Sequence, residues 1–270
     1  MHEKTRHILI TGATGGIGSA TAQAIADAGT RLSLAARDPQ RLQGLAAELA
    51  SEAAAVSTFG ADLTAAESCR DLVQRAIAEQ GPIDVVINCA GVNDFQRFAA
   101  AEPATIERLI LTNFLAPVLL TRAALPEMLV RRRGRIVNIG SVMGGVGFAG
   151  FAVYCATKFG LRGFSEALRR ELKGSGVAVT YIAPRYTRTA LNSGAMDRMA
   201  KAVGMKIDEP KAVARAIAAT INAGKAEHTI GGMERLLLRL NALFPRLVDS
   251  SLATLNRRML DHVEPAKRIR

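Results

Sequence analysis

Tyr154 and Lys158 stand four residues apart in the run Tyr-Cys-Ala-Thr-Lys, and Ser141 precedes Tyr154 by thirteen residues. On a helix, residues four apart share a face, so a phenol and an ammonium would project together. A free tyrosine titrates near pH ~10 and is a poor acid–base group near neutrality. A nearby ammonium favours the phenolate and lowers that value. The pair is then expected to give a proton to a carbonyl oxygen or take one from an alcohol. A hydroxyl at Ser141, at the end of a strand beside the pair, can hold that oxygen. Alone, Tyr-x-x-x-Lys reads more simply as a half-buried aromatic beside a solvated lysine, so its neighbours decide.

Those neighbours need elements to carry them. Strand-like apolar runs occur at 7–11, 31–36, 55–59, 83–88, 135–140 and 177–183, with a seventh at 227–230. Helical stretches lie between them at 16–28, 39–50, 64–80, 103–132 and 152–173. Crossovers of this length join parallel strands and cover both sheet faces. The expected fold is α/β, a doubly wound parallel sheet in three layers. Residues 1–230 form its single domain and 231–270 a helical extension of it.

The stretch Thr11-Gly-Ala-Thr-Gly-Gly-Ile-Gly18 joins the first strand to the first helix, on the side where such sheets bind ligands. Gly12 permits a tight turn, while Gly16 and Gly18 allow close packing of backbone and helix. The helix start then offers N–H groups and partial positive charge to a pyrophosphate. The spacing is not Gly-x-Gly-x-x-Gly, and by itself the stretch is a weak sign.

Taken together, residues 5–190 resemble the short-chain dehydrogenase/reductase family, in its single-domain branch. Thr11–Gly18 is similar to that family's cofactor loop, which would place Thr11, Gly12, Thr14, Gly16, Ile17 and Gly18 on a dinucleotide. Asp62 and Leu63 follow the third strand, where the family meets adenine. Asn88, Ala90 and Gly91 match its Asn-x-Ala-Gly turn. Pro184, Thr187 and Thr189 fall where it has Pro-Gly-x-x-x-Thr. The resemblance implies a Rossmann-fold oxidoreductase with catalytic residues Asn113, Ser141, Tyr154 and Lys158. Lys158 would bond the nicotinamide ribose, and Asn113 would hold the water linking Lys158 to solvent. No metal is implied. Arg185 departs from the pattern by replacing a glycine. Contact with a phosphate or an acidic substrate group, and a side chain turned to solvent, are equal readings of it.

NAD sites place an acid at the end of the second strand, whereas an arginine there accommodates a 2′-phosphate. Here Ala36 holds that place and Arg37 follows. Asp38, before Pro39, reads as the start of the next helix. NADP(H) is therefore favoured, with NAD(H) the alternative. Arg41 is read equally as a helper or as solvated. Residues 143–151 are small and apolar and would line a carbonyl pocket. Leu191, Met196, Met199 and Met205 suggest a lipophilic ligand, against a plainer reading as helix contacts.

The net charge of +11 allows nucleic acid or an anionic surface as partner. No nucleic-acid module is present, and the strongest basic run, 131–135, reads as the solvated end of a helix turning at Gly134. Cys69, Cys89 and Cys155 are scattered, as expected of reduced thiols in a cytoplasmic protein. No uninterrupted apolar run approaches ~20 residues. From 231 to 270, eight Lys/Arg face four acids. Leu236, Leu240, Leu243 and Phe244 form one stripe; Leu247, Val248, Leu252, Leu255 and Met259 form another, across a break at Pro245. Two helices packed on the domain are expected from 233–262, in preference to a basic amphipathic membrane contact. The expected protein is an NADP(H)-dependent carbonyl or alcohol oxidoreductase on a lipophilic substrate, working as a homo-oligomer. The alternative is a non-catalytic dinucleotide sensor or scaffold on the same fold.

Overall fold

The computed structural model describes residues 5–192 and 194–263. Seven strands form one parallel sheet: β1 (Arg6–Thr11), β2 (Thr30–Ala36), β3 (Ala55–Gly60), β4 (Val85–Asn88), β5 (Gly134–Ile139), β6 (Val177–Ala183) and β7 (Glu227–Thr229). Their order is β3-β2-β1-β4-β5-β6-β7. The chain changes direction across the sheet between β1 and β4, and a crevice for ligands opens at such a reversal.

The central strands are apolar on both faces, as strands covered on both sides must be. Ile8 and Ile10 point to one side, against α1 (Gly16–Ile25), α2 (Pro39–Leu49) and α8 (Pro210–Asn222). Leu9 and Val86 point to the other, against α3 (Ala66–Gln80) and α5 (Ala116–Val130). α6 (Ala152–Glu171) completes that layer through Leu168. Asp38 caps α2, accepting from the N–H groups of Gln40 and Arg41, which removes it from the place of an NAD-binding acid.

Several boundaries differ from the sequence pattern. The fourth strand starts at Val85 because Asp84 turns aside, accepting from the His7 N–H and pairing with Arg131 and Arg133. The basic run at 131–135 is thus partly tied down; Arg132 also donates to the Gly174 carbonyl. The helical stretch 103–132 divides into α4 (Pro103–Ile110), a π-helical turn (Leu111–Leu115) and α5. By length and composition Pro103–Val130 could cross a membrane. Here Leu109, Asn113, Ala116, Leu120, Ala124 and Met128 are buried in the fold.

The extension forms α9 (Gly232–Leu243) and α10 (Pro245–Leu260), after α7 (Ala195–Ala202) in the preceding segment. Lys267, Arg268 and Arg270 lie outside the described residues. α9 buries Leu238 against Val142, Val146 and Val248. Its Asn241 side chain donates to the Gly145 carbonyl at 2.9 Å. These contacts rotate the first expected stripe outwards: Leu236, Leu240, Leu243 and Phe244 are exposed, as is Leu247 at the start of the second. The second stripe divides too: Val248 and Met259 are buried, with Leu252 and Leu255 half-buried.

Candidate active site

The glycine turn after β1 is shaped by contacts that exclude side chains. Gly12 has φ +65°, and a Cβ there would lie 2.7 Å from the Ala90 Cα. A Cβ at Gly18 would lie 2.1 Å from the Gly12 carbonyl oxygen. At Gly16 it would meet the Thr189 methyl at 2.7 Å. The loop therefore lies directly against the β4 turn and the segment after β6. Arg41 braces it by donating to the Thr14 carbonyl at 2.7 Å, a use neither sequence reading anticipated. Ile17 packs into the core beneath.

Not every residue expected on the cofactor points at the crevice. Thr11 is buried; its hydroxyl accepts from the N–H groups of Cys89 and Ala90 and donates to the Ile87 carbonyl. It holds the β4 turn closed. Asn88 donates across the sheet to Asn138, which donates to Ser165. The Thr187 hydroxyl donates back to the Arg185 carbonyl. Pro184 is buried and its carbonyl accepts from the Val142 N–H. Thr11, Thr187 and Pro184 fix the backbone around the crevice, and Asn88 ties β4 to β5 through side chains. Arg37, at the end of β2, shares a groove with Gly60 and Asp62. The Asp62 carboxyl lies below its usual range because Thr64 donates to it through backbone and side chain, with Arg37 adding a smaller effect. Leu63 packs beneath them.

Ser141, Tyr154 and Lys158 come together. Ser141 follows β5 by two residues; its hydroxyl accepts from the Met143 N–H and lies near enough to the Tyr154 hydroxyl to favour its ionised form. Lys158 Nζ sits 5.7 Å from the Tyr154 ring centroid and donates to the Ile139 carbonyl at 3.1 Å. The proton affinities correct the sequence expectation. Burial pushes the Tyr154 hydroxyl up to about 12; the Ser141 hydroxyl opposes this without reversing it. Burial also brings Lys158 down to about 8. Withdrawal from water is the largest cause of both shifts.

Asn113 lies in the π-helical turn, fully buried. Its amide donates to the Val92 carbonyl and to Thr157, and its Oδ1 accepts from the Val92 N–H. One amide hydrogen and Oδ1 thus fix the backbone after Gly91, and the other amide hydrogen ties the turn to α6. A Cβ at Gly91 would stand 3.9 Å from Lys158 Nζ.

Two supports were not legible in the motifs. Tyr181 of β6 lies under the Ser141 turn, its hydroxyl 3.3 Å from both the N–H and the carbonyl of Ser141. A Cβ at Gly140 would overlap that ring at 2.1 Å. Alternating β6 residues could have named a buried tyrosine, but not its partner. Arg185 takes neither role read from the sequence. It forms two hydrogen bonds to Asp208, at 2.7 and 2.8 Å, and reaches Glu234 of α9 at 3.3 Å.

The crevice wall beside Tyr154 is apolar. Phe151, Cys155, Met199 and Met259 are buried there, with Phe95 and Met143 half-buried beside them. Met196 and Met205 pack against this wall, as both readings of them allow, whereas Leu191 is exposed. The dinucleotide is tested by the loop itself: a bare backbone cradle at a helix start, with Arg37 at the ribose end, fits a pyrophosphate and an added phosphate.

The short chain dehydrogenase family model matches residues 6–200. An uncharacterized oxidoreductase of Bacillus subtilis is 33% identical over 252 residues, covering 91% of this chain and 71% of its own. A ketoacyl reductase of Nostoc is 32% identical over 249 residues, covering 90% and 86%. A short-chain dehydrogenase from Sphingobium yanoikuyae, solved in complex with NADPH, is 31% identical with a TM-score of 0.76, covering 90% and 96%.

Proposed function

Because this chain belongs to the short-chain dehydrogenase/reductase family, we propose that it interconverts a ketone or aldehyde and an alcohol with NADP(H). Membership makes it an oxidoreductase acting on CH–OH or C=O groups. The proposal adds the cofactor, the lipophilic substrate and the residue roles. One observation carries it: Ser141, Tyr154 and Lys158 come together, the ammonium over the Tyr154 ring and the Ser141 hydroxyl near the phenol, beside an apolar wall.

Gly12, Gly16 and Gly18 would hold the pyrophosphate on backbone N–H groups, and Arg37 the 2′-phosphate. Bound NADP(H) supplies or accepts the hydride. The remaining chemistry belongs to the chain. Tyr154 keeps its proton through the physiological range and gives it to the carbonyl oxygen during reduction. Ser141 shares that oxygen and fixes its approach. Lys158, largely protonated at pH 7, favours the phenolate left behind and can return a proton to it. Asn113 holds the Val92 backbone and so the space beside Lys158, where its Oδ1 keeps one lone pair for a water.

The NADPH-bound relative and the ketoacyl reductase relative support the cofactor and the direction towards a carbonyl. Met143, Met196 and Met205 support the lipophilic substrate. Phe98 and Ile110 and, on α6, Phe159 are exposed around an apolar groove lined by Phe114 and Val153; they support assembly with further copies of the chain. The test is titration with NADPH and NADH, followed by ketones and aldehydes of increasing alkyl length. Tighter NADPH binding and a kcat/KM that rises with chain length are expected. Equal cofactor affinities, or a kcat/KM that falls with length, overturn the corresponding part.

A further inference from the structure

The C-terminal hairpin has a face that the fold leaves uncovered. Met233, Leu243 and Leu247 are 74%, 70% and 67% exposed, and Leu236, Leu240 and Phe244 are also open. Along α9 they recur at three- and four-residue steps, which places them on one side of a helix. Phe244 is the corner between the two helices, and Leu247 continues the row onto α10. Six large apolar side chains side by side differ from scattered exposed leucines, which need no explanation.

Charge decides what covers them. From Arg235 to Val248 the chain carries Arg235, Arg239 and Arg246 and no acidic residue. Arg239 precedes the stripe residue Leu240 by one position and flanks the apolar row, while Arg235, one position before Leu236, reaches back to the Thr229 carbonyl at 3.4 Å. Glu234, at the other margin, is held by Arg185. A second copy of this chain would bring its own net charge of +11 to a basic face. An anionic bilayer surface meets both features: acyl chains receive the leucines and phosphates receive the arginines, whose stems lie along the boundary.

We propose that α9 and the start of α10 dock on an anionic membrane surface through Met233, Leu236, Leu240, Leu243, Phe244 and Leu247. α10, by its inner face, closes the apolar wall beside Tyr154 through Leu255 and Met259, and α9 packs on Val142 and Val146 through Leu238. Docking therefore brings the crevice beside the lipid phase. The exposed face and its charge carry this docking, independently of the cofactor and substrate assignments.

The test is co-sedimentation of the full chain with vesicles of phosphatidylcholine alone or mixed with phosphatidylglycerol, in low and high salt. Binding to the mixed vesicles in low salt, weakened by salt and small on phosphatidylcholine alone, is expected. Replacing both Arg239 and Arg246 by Gln should weaken it about thirtyfold, at roughly 1 kcal/mol for each charge near the surface. Leu240→Glu with Leu243→Glu should abolish it without changing the thermal midpoint, because both positions are exposed. Failure of the parent to sediment with mixed vesicles overturns the proposal. So does unchanged binding of the Leu→Glu pair, which would mean diffuse adsorption. So does a parent that ignores vesicles but loses an oligomer on the Leu→Glu change, which would assign the face to a second copy.

Discussion

Arg185→Gly restores the glycine usual in the family, and the structure predicts that it harms this chain. The guanidinium is 15% exposed, and its partners Asp208 and Glu234 are 13% and 21% exposed. Exposed pairs are worth about 0–1 kcal/mol, and breaking a fully buried pair costs about 3–5 kcal/mol. This two-pronged, mostly buried pairing falls between, at about 2–3 kcal/mol. The new glycine adds backbone freedom to the unfolded chain, costing about 0.5–1 kcal/mol more. A chain of this size changes its midpoint by about 2–4 °C for each kcal/mol, so a drop of about 5–16 °C is expected. The same arginine joins the segment carrying Thr189, which lies on Gly16, to α9. NADPH affinity should therefore weaken about threefold to tenfold. The assays are thermal unfolding and cofactor titration, with Asp208→Asn and the double variant completing a cycle. A variant as stable as the parent, or effects that simply add in the cycle, would refute the reasoning.

Arg37→Asp should lower NADPH affinity and spare NADH, since attraction to the 2′-phosphate becomes repulsion; the ratio of the two dissociation constants checks it. Lys158→Met should abolish turnover yet raise stability at pH 7. A lysine brought from 10.5 to about 8 is held at a cost of about 3 kcal/mol while both folded and unfolded forms are protonated. Losing its bond to Ile139 returns about 1–2 kcal/mol of that, leaving a net gain of about 1–2 kcal/mol. In the parent, this cost is present below pH 8 and fades up to 10.5, because there the unfolded chain binds the extra proton; the variant's advantage should vanish over that window in denaturant titrations. Leu238→Ala should cost about 2–3 kcal/mol and Leu236→Ala almost nothing, read from urea midpoints, because only the first side chain is buried.

What could be read from the sequence was local. The glycine turn was legible because its residues neighbour one another and their small size is itself the signal. Tyr154 and Lys158 declared their shared face by a spacing of four. Asp38 was recognised as a cap by the proline after it. The misreadings involve partners far along the chain. Arg185 is fixed by residues 23 and 49 positions away. Asn241 sets the rotation of α9 through Gly145, 96 positions away, and thereby decides which leucines face water. The Tyr154 proton affinity follows from burial, which no neighbouring residue type announces. Thr11, Asn88 and Thr187 hold their motif positions, but Thr11 and Thr187 turn their hydroxyls to nearby backbone and Asn88 turns its amide to Asn138 across the sheet.

The most direct test of the catalytic account is the turnover of Tyr154→Phe beside its NADPH affinity, using the most reactive carbonyl compound found in the panel. The phenyl ring keeps the packing against Phe151 and over Lys158, so the dissociation constant should stay within about threefold of the parent. Loss of the proton donor should lower kcat by about 10²–10⁴. A variant that binds NADPH normally and reduces the carbonyl at close to the parent rate would contradict the assignment of Tyr154 as the acid.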